Sequence, residues 1–351
     1  MSQVMSNVRP FGVLESGTVR EAVLRTSDGA IEASVIELGA ALRDLKVKRQ
    51  DGGLQRVVLG LTSAEDYRDH SPHMGAIAGR FGNRIAGGKF VLDDASYQLP
   101  LNENGRTSLH GGGATGFGKA HWNILHADTA SVTLAMHEPT CSNGYPGAMT
   151  ATCRYRLLPP ATLRIELWAT PDAATVINLC HHSYFNLDGQ SDVLDHELEV
   201  RANLYAPVST ELIPDGTLAA VAGTPLDFRT RRTLRGTARG TRRGIDNTFL
   251  LRRERNESGG DLGLPLAHAA TLSSARSGVR MECWTTEPAL QVYDGFKLNV
   301  PVAGLDGARY GACAGIALEP QHVPDSPNLP HFPSTVLRPG EVYRQVTDYR
   351  F

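Results

Sequence analysis

Apolar and polar residues alternate with a period of two in many short runs of this chain. In one run, Leu163, Ile165, Leu167 and Ala169 point to one face, and the residues between them point to the other. Runs 196–202 and 279–285 repeat the pattern. Such alternation is typical of half-buried strands in an antiparallel sheet. The alternation therefore predicts that the chain folds mainly into β-strands.

Turn signals separate these runs. The chain holds 36 glycines and 20 prolines among 351 residues, which exceeds the roughly 12% that is usual for the two together. One short helical turn is predicted near Ser63–Tyr67, with Ser63 as its cap. Many short strands without intervening helices favour a large all-β sandwich or barrel. No internal repeat or linker is evident, so we expect a single domain over residues 1–351.

Charge and cysteine content exclude several classes of protein. With 35 basic and 37 acidic residues the net charge is −2, which argues against a nucleic-acid binder. No apolar run approaches the ~20 residues that span a membrane, and the first residues lack a secretory signal. Five scattered cysteines without a CxxC pair favour reduced, mostly buried thiols over disulfides or a structural zinc site. We therefore expect a cytoplasmic protein.

Two segments invite functional interpretations that their context weakens. Residues 228–243 hold seven arginines but few aromatic residues, so a solvated loop is favoured over a nucleic-acid patch. Gly113–Lys119 matches the body of a phosphate-binding loop, yet Ala120 stands where that loop needs Ser or Thr. No buried strand precedes it and no good helix start follows, so a nucleotide hydrolase is rejected.

The segment 178–187 is rich in groups that can carry chemistry. If it is extended, His182, Tyr184 and Asn186 share one face, whereas His181, Ser183 and Phe185 share the other. The two adjacent histidines then cannot both ligate one metal ion. A row of His, Tyr and Asn favours the lining of a polar cleft. Histidine titrates near neutral pH, so His182 is a candidate proton donor.

Glu319 ends the apolar run 316–318 and is followed by Pro320. A carboxylate in this position is expected to be partly buried, and burial raises a carboxyl pKa towards the value that a general base needs. Paired with a histidine across a cleft, Glu319 would complete an acid/base couple. Spacing along the chain does not show that the two groups meet.

Further polar groups stand beside apolar or aromatic residues, as in sites that bind sugars. They are Asn83, Arg84, His110, Asp246 and Gln291. Each is weak on its own, because an arginine is often a surface ion pair and an aspartate often caps a turn.

In their order along the chain, these clusters resemble the aldose 1-epimerase family, the galactose mutarotases. The matching segments include GRFGNRIAGGKF, SLHGG, HSYFNL, YAPVSTELIPDG, IDNTF, LQVY and ALEPQHVPDSPN. The resemblance covers about Gly12 to Phe351 and implies a large antiparallel β-sandwich. It also implies an enzyme that interconverts the α and β anomers of a free aldose such as galactose or glucose, without a cofactor or metal.

The resemblance implies a role for each matching residue. His182 corresponds to the general acid and Glu319 to the general base, whereas Asn83, Arg84, His110, Asp246 and Gln291 correspond to substrate-binding groups. The chain departs from the family pattern at Gly118, at Cys180 with His181, and at Asp294 with the residues after it. We therefore expect differences in substrate preference.

Other functions stay open at this stage. One is a non-catalytic sugar-binding module, and another is an epimerase that acts on a sugar phosphate. The expected partner is a small sugar, without nucleic acid or membrane, for a monomer or homodimer.

Overall fold

Strands are the predominant secondary structure of the residues that the structure describes. The structure is a computed structural model that describes residues 6–237, 244–252, 256–258 and 263–351. Within these ranges one α-helix is present, α1 (Ala64–Asp69). No helix in the described ranges is long and apolar enough to cross a membrane. The all-β prediction is confirmed.

The strands are short and follow one another with few other elements between them. The first ten are β1 (Val8–Leu14), β2 (Gly17–Arg25), β3 (Ile31–Ile36), β4 (Leu42–Lys48), β5 (Leu54–Arg56), β6 (Ile77–Ala78), β7 (Arg84–Ala86), β8 (Lys89–Leu92), β9 (Ala95–Gln98) and β10 (Thr107–Leu109). The next ten are β11 (Asn123–Ala127), β12 (Ser131–Glu138), β13 (Met149–Leu158), β14 (Thr162–Pro171), β15 (Thr175–Val176), β16 (Cys180–His181), β17 (Tyr184–Phe185), β18 (Glu197–Val200), β19 (Ala202–Ala206) and β20 (Ala219–Ala220). The last nine are β21 (Arg232–Thr233), β22 (Asp246–Leu251), β23 (Asn256–Ser258), β24 (Pro265–Ser273), β25 (Arg280–Thr285), β26 (Ala289–Tyr293), β27 (Ile316–Gln321), β28 (Val336–Leu337) and β29 (Tyr343–Arg350).

Three antiparallel sheets form the body of the fold. The N-terminal sheet has the order β1-β2-β3-β4-β5. The large sheet has the order β11-β12-β13-β14-β29-β25-β24-β18-β21, with β23 beside β24. The third sheet, called here the site sheet, has the order β17-β27-β26-β22-β19-β20. Pairs of short strands, such as β7 with β10 and β6 with β16, connect them.

The hydrophobic core lies between the sheets. Leu167 of the large sheet and Leu318 of the site sheet belong to the same buried cluster, together with Leu45 of the N-terminal sheet. Tyrosine hydroxyls also join the layers: the Oη atom of Tyr349 donates to the carbonyl oxygen of Leu318 at 2.9 Å. Sheets that pack on one shared core in this way form a β-sandwich.

The polar face of β14 corrects the expectation of a half-buried strand. Arg164 and Glu166 are both buried, although alternation predicts that they face solvent. Cross-strand ion pairs make this burial possible, because Arg164 binds both carboxylate oxygens of Asp348 at 2.7 and 2.8 Å. The Nε atom of Arg154 likewise donates to Glu166 at 2.5 Å. Paired charges therefore cover this face instead of water.

Helix α1 begins where the sequence predicts. The Oγ atom of Ser63 accepts a hydrogen bond from the backbone N–H of Asp66 at 3.1 Å, which caps the helix. At the other end, the ammonium group of Lys119 donates to three backbone carbonyls, those of Tyr67, Arg68 and Ser71, at 2.9 to 3.0 Å. This lysine ends the segment that matches a phosphate-binding loop. Its donors are already occupied, which agrees with rejecting that interpretation.

The arginine-rich segment is solvated over the part that the structure describes. Arg229 pairs with Asp227, and Arg235 pairs with Asp195. The expectation of a loop is wrong for Arg232–Thr233, which form β21 beside β18. Residues 238–243 lie outside the described ranges. All five cysteines are free and four are buried, as predicted.

Candidate active site

A small cavity with mostly polar lining residues lies beside strands β17, β27, β26 and β22 of the site sheet. Its volume is about 170 Å³, below the roughly 300–1,000 Å³ of sites for drug-sized ligands. It is lined by Pro72, His73, Asn83, Arg84, Glu103, Leu109, His110, His182, Tyr184, Asp246, Tyr293, Lys297 and Glu319. All the predicted site residues except Gln291 are in this set. The cavity therefore suits one small polar molecule.

Strand register brings His182 and Glu319 together. In the antiparallel pair of β17 and β27, Tyr184 lies opposite Ala317. His182 lies two residues before Tyr184, and Glu319 lies two residues after Ala317. In an antiparallel pair these two positions face each other. Hydrogen bonds with Gly75 and Ala76 hold the backbone of His182 on both sides, each at 2.9 Å. The Nε2 atom of His182 lies 3.7 Å from the Oε2 atom of Glu319.

Burial favours the uncharged forms of this pair. Both side chains are nearly inaccessible to solvent, at 5% and 3% exposure. Desolvation, followed by the charge of Asp246, raises the pKa of Glu319 to about 8. Desolvation also lowers the pKa of His182 to about 4. At neutral pH the pair therefore holds one proton, on the carboxyl group, beside an uncharged imidazole.

His110 is held by Asn83 in a defined tautomer. The backbone N–H of Asn83 donates to the Nδ1 atom of His110 at 3.1 Å, and the N–H of His110 donates to the carbonyl oxygen of Asn83 at 3.0 Å. Because Nδ1 accepts, the proton of the neutral ring is on Nε2. Burial keeps the pKa of His110 well below its ordinary value. His110 is therefore a neutral hydrogen-bond donor through Nε2.

The tautomer of His110 also bears on metal binding. Ligand atoms of His110, His182 and Glu319 lie within 4.8 Å of one another, a donor set like that of some zinc enzymes. A metal ion on Nε2 of His110 would have to displace its proton while Nδ1 faces the N–H of Asn83. This arrangement favours a hydrogen-bonding role for His110 over a metal-ligand role.

Arg84 joins two carboxylates at the cavity wall. It donates to both oxygens of Glu103 at 2.7 and 2.8 Å, and its Nη2 atom lies 3.9 Å from the Oδ2 atom of Asp246. The Oδ1 atom of Asn83 accepts a further bond from Arg84 at 3.3 Å. Burial raises the pKa of Asp246 despite the nearby guanidinium. The wall thus offers both donors and acceptors for sugar hydroxyls.

Gln291 lies outside the cavity lining and contacts the cavity wall through Asp246. It lies opposite Glu319 in the pairing of β26 with β27, but it does not line the cavity. Its amide donates to the Oδ1 atom of Asp246 at 2.6 Å and accepts from the hydroxyl of Thr248 at 2.5 Å. Gln291 therefore orients Asp246 in this structure and is not itself exposed to the cavity.

The side chains of the adjacent residues His181 and His182 point to opposite sides of the chain, as predicted. His182 faces the cavity, whereas His181 packs in the core between Tyr155 and Tyr349. The Oγ atom of Ser183 lies 3.0 Å from the Nε2 atom of His181, on the same side. The cleft prediction is wrong for Asn186, because its amide donates to two backbone carbonyls away from the cavity.

Seven cavity residues are not among the predicted site residues, and only Tyr184 of these was expected at a cleft. The other six are Pro72, His73, Glu103, Leu109, Tyr293 and Lys297. The most notable is His73, whose ring centre lies 4.6 Å from that of His110 and 6.1 Å from that of His182. Its pKa is lowered to about 3, chiefly by burial. Its segment, Ser-Pro-His-Met-Gly, has no periodic pattern that would indicate a site. Tyr293 lies within the Gln291–Tyr293 cluster, so proximity in sequence could have indicated it.

Packing at the site explains the departure from the family pattern at Gly118, whereas Asp294 makes a local contact outside the cavity. A Cβ atom at Gly118 would lie 3.0 Å from the Nδ1 atom of His73, so the small residue leaves room for that ring. Asp294 is buried and accepts a bond from the N–H of Phe296 at 3.2 Å. It does not line the cavity, but Lys297 of the same segment does.

The fold and cavity define a class of protein: an antiparallel β-sandwich with a buried carboxyl–imidazole pair in a small polar site. Comparison with known proteins then identifies the family. The family model described as aldose 1-epimerase matches residues 22–350. The chain is 36% identical to the galactose mutarotase of Mus musculus, with 97% of each chain covered. It is 35% identical to the aldose 1-epimerase of Escherichia coli K12, with 99% of each covered. The chain belongs to the aldose 1-epimerase family.

Solved structures agree with this assignment. A GalM/aldose epimerase homologue from C. elegans superposes with a TM-score of 0.86 at 26% identity, covering 94% of this chain and 98% of that one. The galactose 1-epimerase from Lactobacillus acidophilus gives a TM-score of 0.81 at 27% identity, covering 98% and 97%. The predicted galactose mutarotase-like sandwich and the predicted isomerase class are both confirmed.

Proposed function

We propose that this protein interconverts the α and β anomers of a free aldose, with Glu319 and His182 as its proton-transfer pair. The single observation that carries the proposal is the 3.7 Å approach of these two groups inside a small polar cavity. Full-length similarity to mutarotases supports the reaction type. Galactose and glucose are the first substrates to test.

The mechanism starts from the one-proton state of the pair. In this structure the proton is on Glu319, and its relay to His182 through one water across the 3.7 Å gap creates a carboxylate and an imidazolium. The Glu319 carboxylate then removes the proton of the C1 hydroxyl, while His182 protonates the ring oxygen, so that the C1–O5 bond breaks. The products are an open aldehyde and an uncharged pair, the form that burial favours.

Ring closure reverses these transfers. After rotation about the C1–C2 bond, the ring oxygen attacks the other face of the aldehyde. His182 takes back the proton of the C5 hydroxyl, and Glu319 returns a proton to the C1 oxygen. No net proton, electron or group is gained or lost, so the pair is ready for a further cycle.

The surrounding residues would hold the sugar during this cycle. We assign the Nε2–H of His110 and the guanidinium of Arg84 as donors to ring and hydroxyl oxygens, and Asp246 as an acceptor. Asn83 contributes by orienting His110 and Arg84, and Gln291 contributes by orienting Asp246. These contacts supply position rather than chemistry, which matters because proton transfer requires hydrogen-bond distances.

Anomer exchange measured by NMR saturation transfer on several aldoses tests the proposal. We expect acceleration by the wild-type protein and a loss of about 10²–10⁴-fold in Glu319→Gln and in His182→Asn. Glu15→Gln, at an exposed carboxylate, is the matched control and should keep wild-type rates. Full activity in Glu319→Gln would refute the assignment. A sugar-binding module would instead bind aldoses without accelerating exchange.

A second candidate substrate is a sugar phosphate. The observation that favours it is the exposed Lys297, whose side chain lines both the candidate site and a neighbouring cavity. An ammonium group at a cavity mouth can pair with a phosphate. Comparing free and phosphorylated hexoses as exchange substrates, in the wild type and in Lys297→Met, separates the two candidates.

We also propose a cytoplasmic location and a single domain. Five free cysteines in one chain fit a reducing compartment. The match to the family model over residues 22–350 fits one continuous unit. Nucleic acid and membrane are not proposed as partners, and a monomer or homodimer is expected.

A further inference from the structure

Cys180 contacts the proposed general base directly. Its Sγ atom lies 3.4 Å from the Oε2 atom of Glu319, within the range of a thiol hydrogen bond. Cys180 is fully buried in β16, two residues before His182 in the chain, and β16 packs against β27. The proposed mechanism has no role for this thiol. It also stands where the sequence departs from the family pattern.

The contact distinguishes the two oxygens of the carboxyl group. Both Cys180 and His182 approach Oε2. The other oxygen, Oε1, accepts no hydrogen bond from the residues that the structure describes, and the side chain lines the cavity. The thiol therefore anchors one oxygen from behind and leaves the other for a ligand.

Packing keeps the sulfur in place. A Cβ atom at Gly82 would lie 2.8 Å from the Sγ atom of Cys180, so the absence of a side chain at Gly82 makes room for the thiol. The N–H of Gly82 donates to the carbonyl oxygen of Asn178 at 2.5 Å, which fixes that backbone against the strand of Cys180. Burial and the neighbouring carboxylate raise the thiol pKa well above its ordinary value. Cys180 thus stays protonated and can donate.

We propose that Cys180 is a positioning residue for Glu319, whose thiol holds Oε2 and turns Oε1 towards the C1 hydroxyl of the sugar. The inference rests on the proposed function, because it needs Glu319 to be the base. A thiol is a weak donor, so it stabilises the carboxylate less than a hydroxyl would. Cys180 therefore orients Glu319 while leaving it strongly basic.

Other groups also act on Glu319 and must be considered in any titration. The charged and titratable side chains around it come from five directions: Arg84 of β7, His182 and Tyr184 at β17, Asp246 of β22, Tyr349 of β29 and His110 after β10. Substitution at Cys180 leaves all of them unchanged. A shift in the titration of Glu319 in such variants can therefore be assigned to the thiol.

The test compares Cys180→Ser and Cys180→Ala in the pH dependence of kcat/KM for anomer exchange. A hydroxyl donates more strongly, so Cys180→Ser should move the alkaline limb of the profile to lower pH, by about one unit. Loss of the donor in Cys180→Ala should move the same limb to higher pH by a similar amount. Cys180→Ala should also lower kcat several-fold, because the carboxyl group is less well oriented.

Cys283→Ala is the matched control, since Cys283 is equally buried, lies in β25 of the large sheet and does not line the cavity. It should leave the pH profile unchanged. Shifts in the same direction for both Cys180 variants, or no shift in either, would overturn the inference. If Cys180→Ala does not fold, the inference is tested by Cys180→Ser alone, in which the alkaline limb of the pH profile should move to lower pH. An inactive wild type would contradict the proposed function, whereas an active wild type with unmoved limbs would contradict only the role of Cys180.

Discussion

His182 and Glu319 face each other across the pairing of β17 with β27, with Nε2 and Oε2 3.7 Å apart. Both groups are nearly inaccessible to solvent, so the carboxylate and the imidazolium each lose most of their hydration. The site therefore stores a single proton in an uncharged pair. Acid/base catalysis at this site depends on converting that pair briefly into its charged form.

The pH dependence of kcat/KM should be bell-shaped. Below pH about 4, His182 becomes protonated, so the pair holds two protons. Above pH about 8, Glu319 is ionised, so the pair holds none. Activity should therefore be high between these limits and fall on both sides. Exchange rates measured from pH 3 to 10, after subtraction of the buffer-catalysed rate, check this. A pH optimum below about 4 or above about 8 would contradict a catalytic pair that holds one proton.

Gln291→Met should weaken sugar binding. The substitution keeps side-chain volume but removes the amide that donates to Asp246 and accepts from Thr248. We expect KM to rise about tenfold with little change in kcat, since one hydrogen bond to a charged group is lost. Gln55→Met, in the N-terminal sheet, is the control and should leave both constants unchanged. A loss confined to kcat would show that Gln291 supports the proton transfers instead.

Gly118→Ala should disturb His73. The added Cβ atom would lie 3.0 Å from the Nδ1 atom of His73 and 3.4 Å from Ala76, so the ring must move by a few tenths of an ångström. We expect KM to change several-fold, with different factors for galactose and glucose. Gly311→Ala is the control, because nothing lies within 4 Å of its Cβ position. Equal changes in KM for Gly118→Ala and Gly311→Ala would show that His73 does not contribute to sugar binding.

Arg164→Met should destabilise the protein strongly. It removes the bidentate partner of the buried Asp348 carboxylate and leaves only the partly exposed Arg350 on one of its oxygens. Breaking a buried ion pair typically costs about 3–5 kcal/mol in the free energy of unfolding. Urea denaturation measures this change. The double variant Arg164→Met/Asp348→Leu should recover much of the loss, because no buried carboxylate is left without its partner, and Arg350, which also binds Asp348, is partly exposed to solvent. A double variant as unstable as the single one would contradict the ion-pair explanation.

Local sequence patterns predicted the features that depend on near neighbours. The helix cap at Ser63 needs only residues three positions apart. The opposite orientations of His181 and His182 follow from the period of an extended chain. The buried charges of β14 could not be predicted in this way, because Arg164 is paired with Asp348, far along the chain. The position of Gln291 behind Asp246 also depended on the packing of neighbouring strands.

The sequence by itself determined the strand-rich fold class, the residue types of the site and, by resemblance, the family. Only the tertiary structure decided which groups meet: that Glu319 faces His182, that His73 joins the cavity and that Cys180 holds the carboxyl group. The physical reason is that alternation depends on the backbone of one strand, whereas these contacts depend on the register between strands distant in sequence. A shift of one residue in that register would turn each of these side chains to the opposite face.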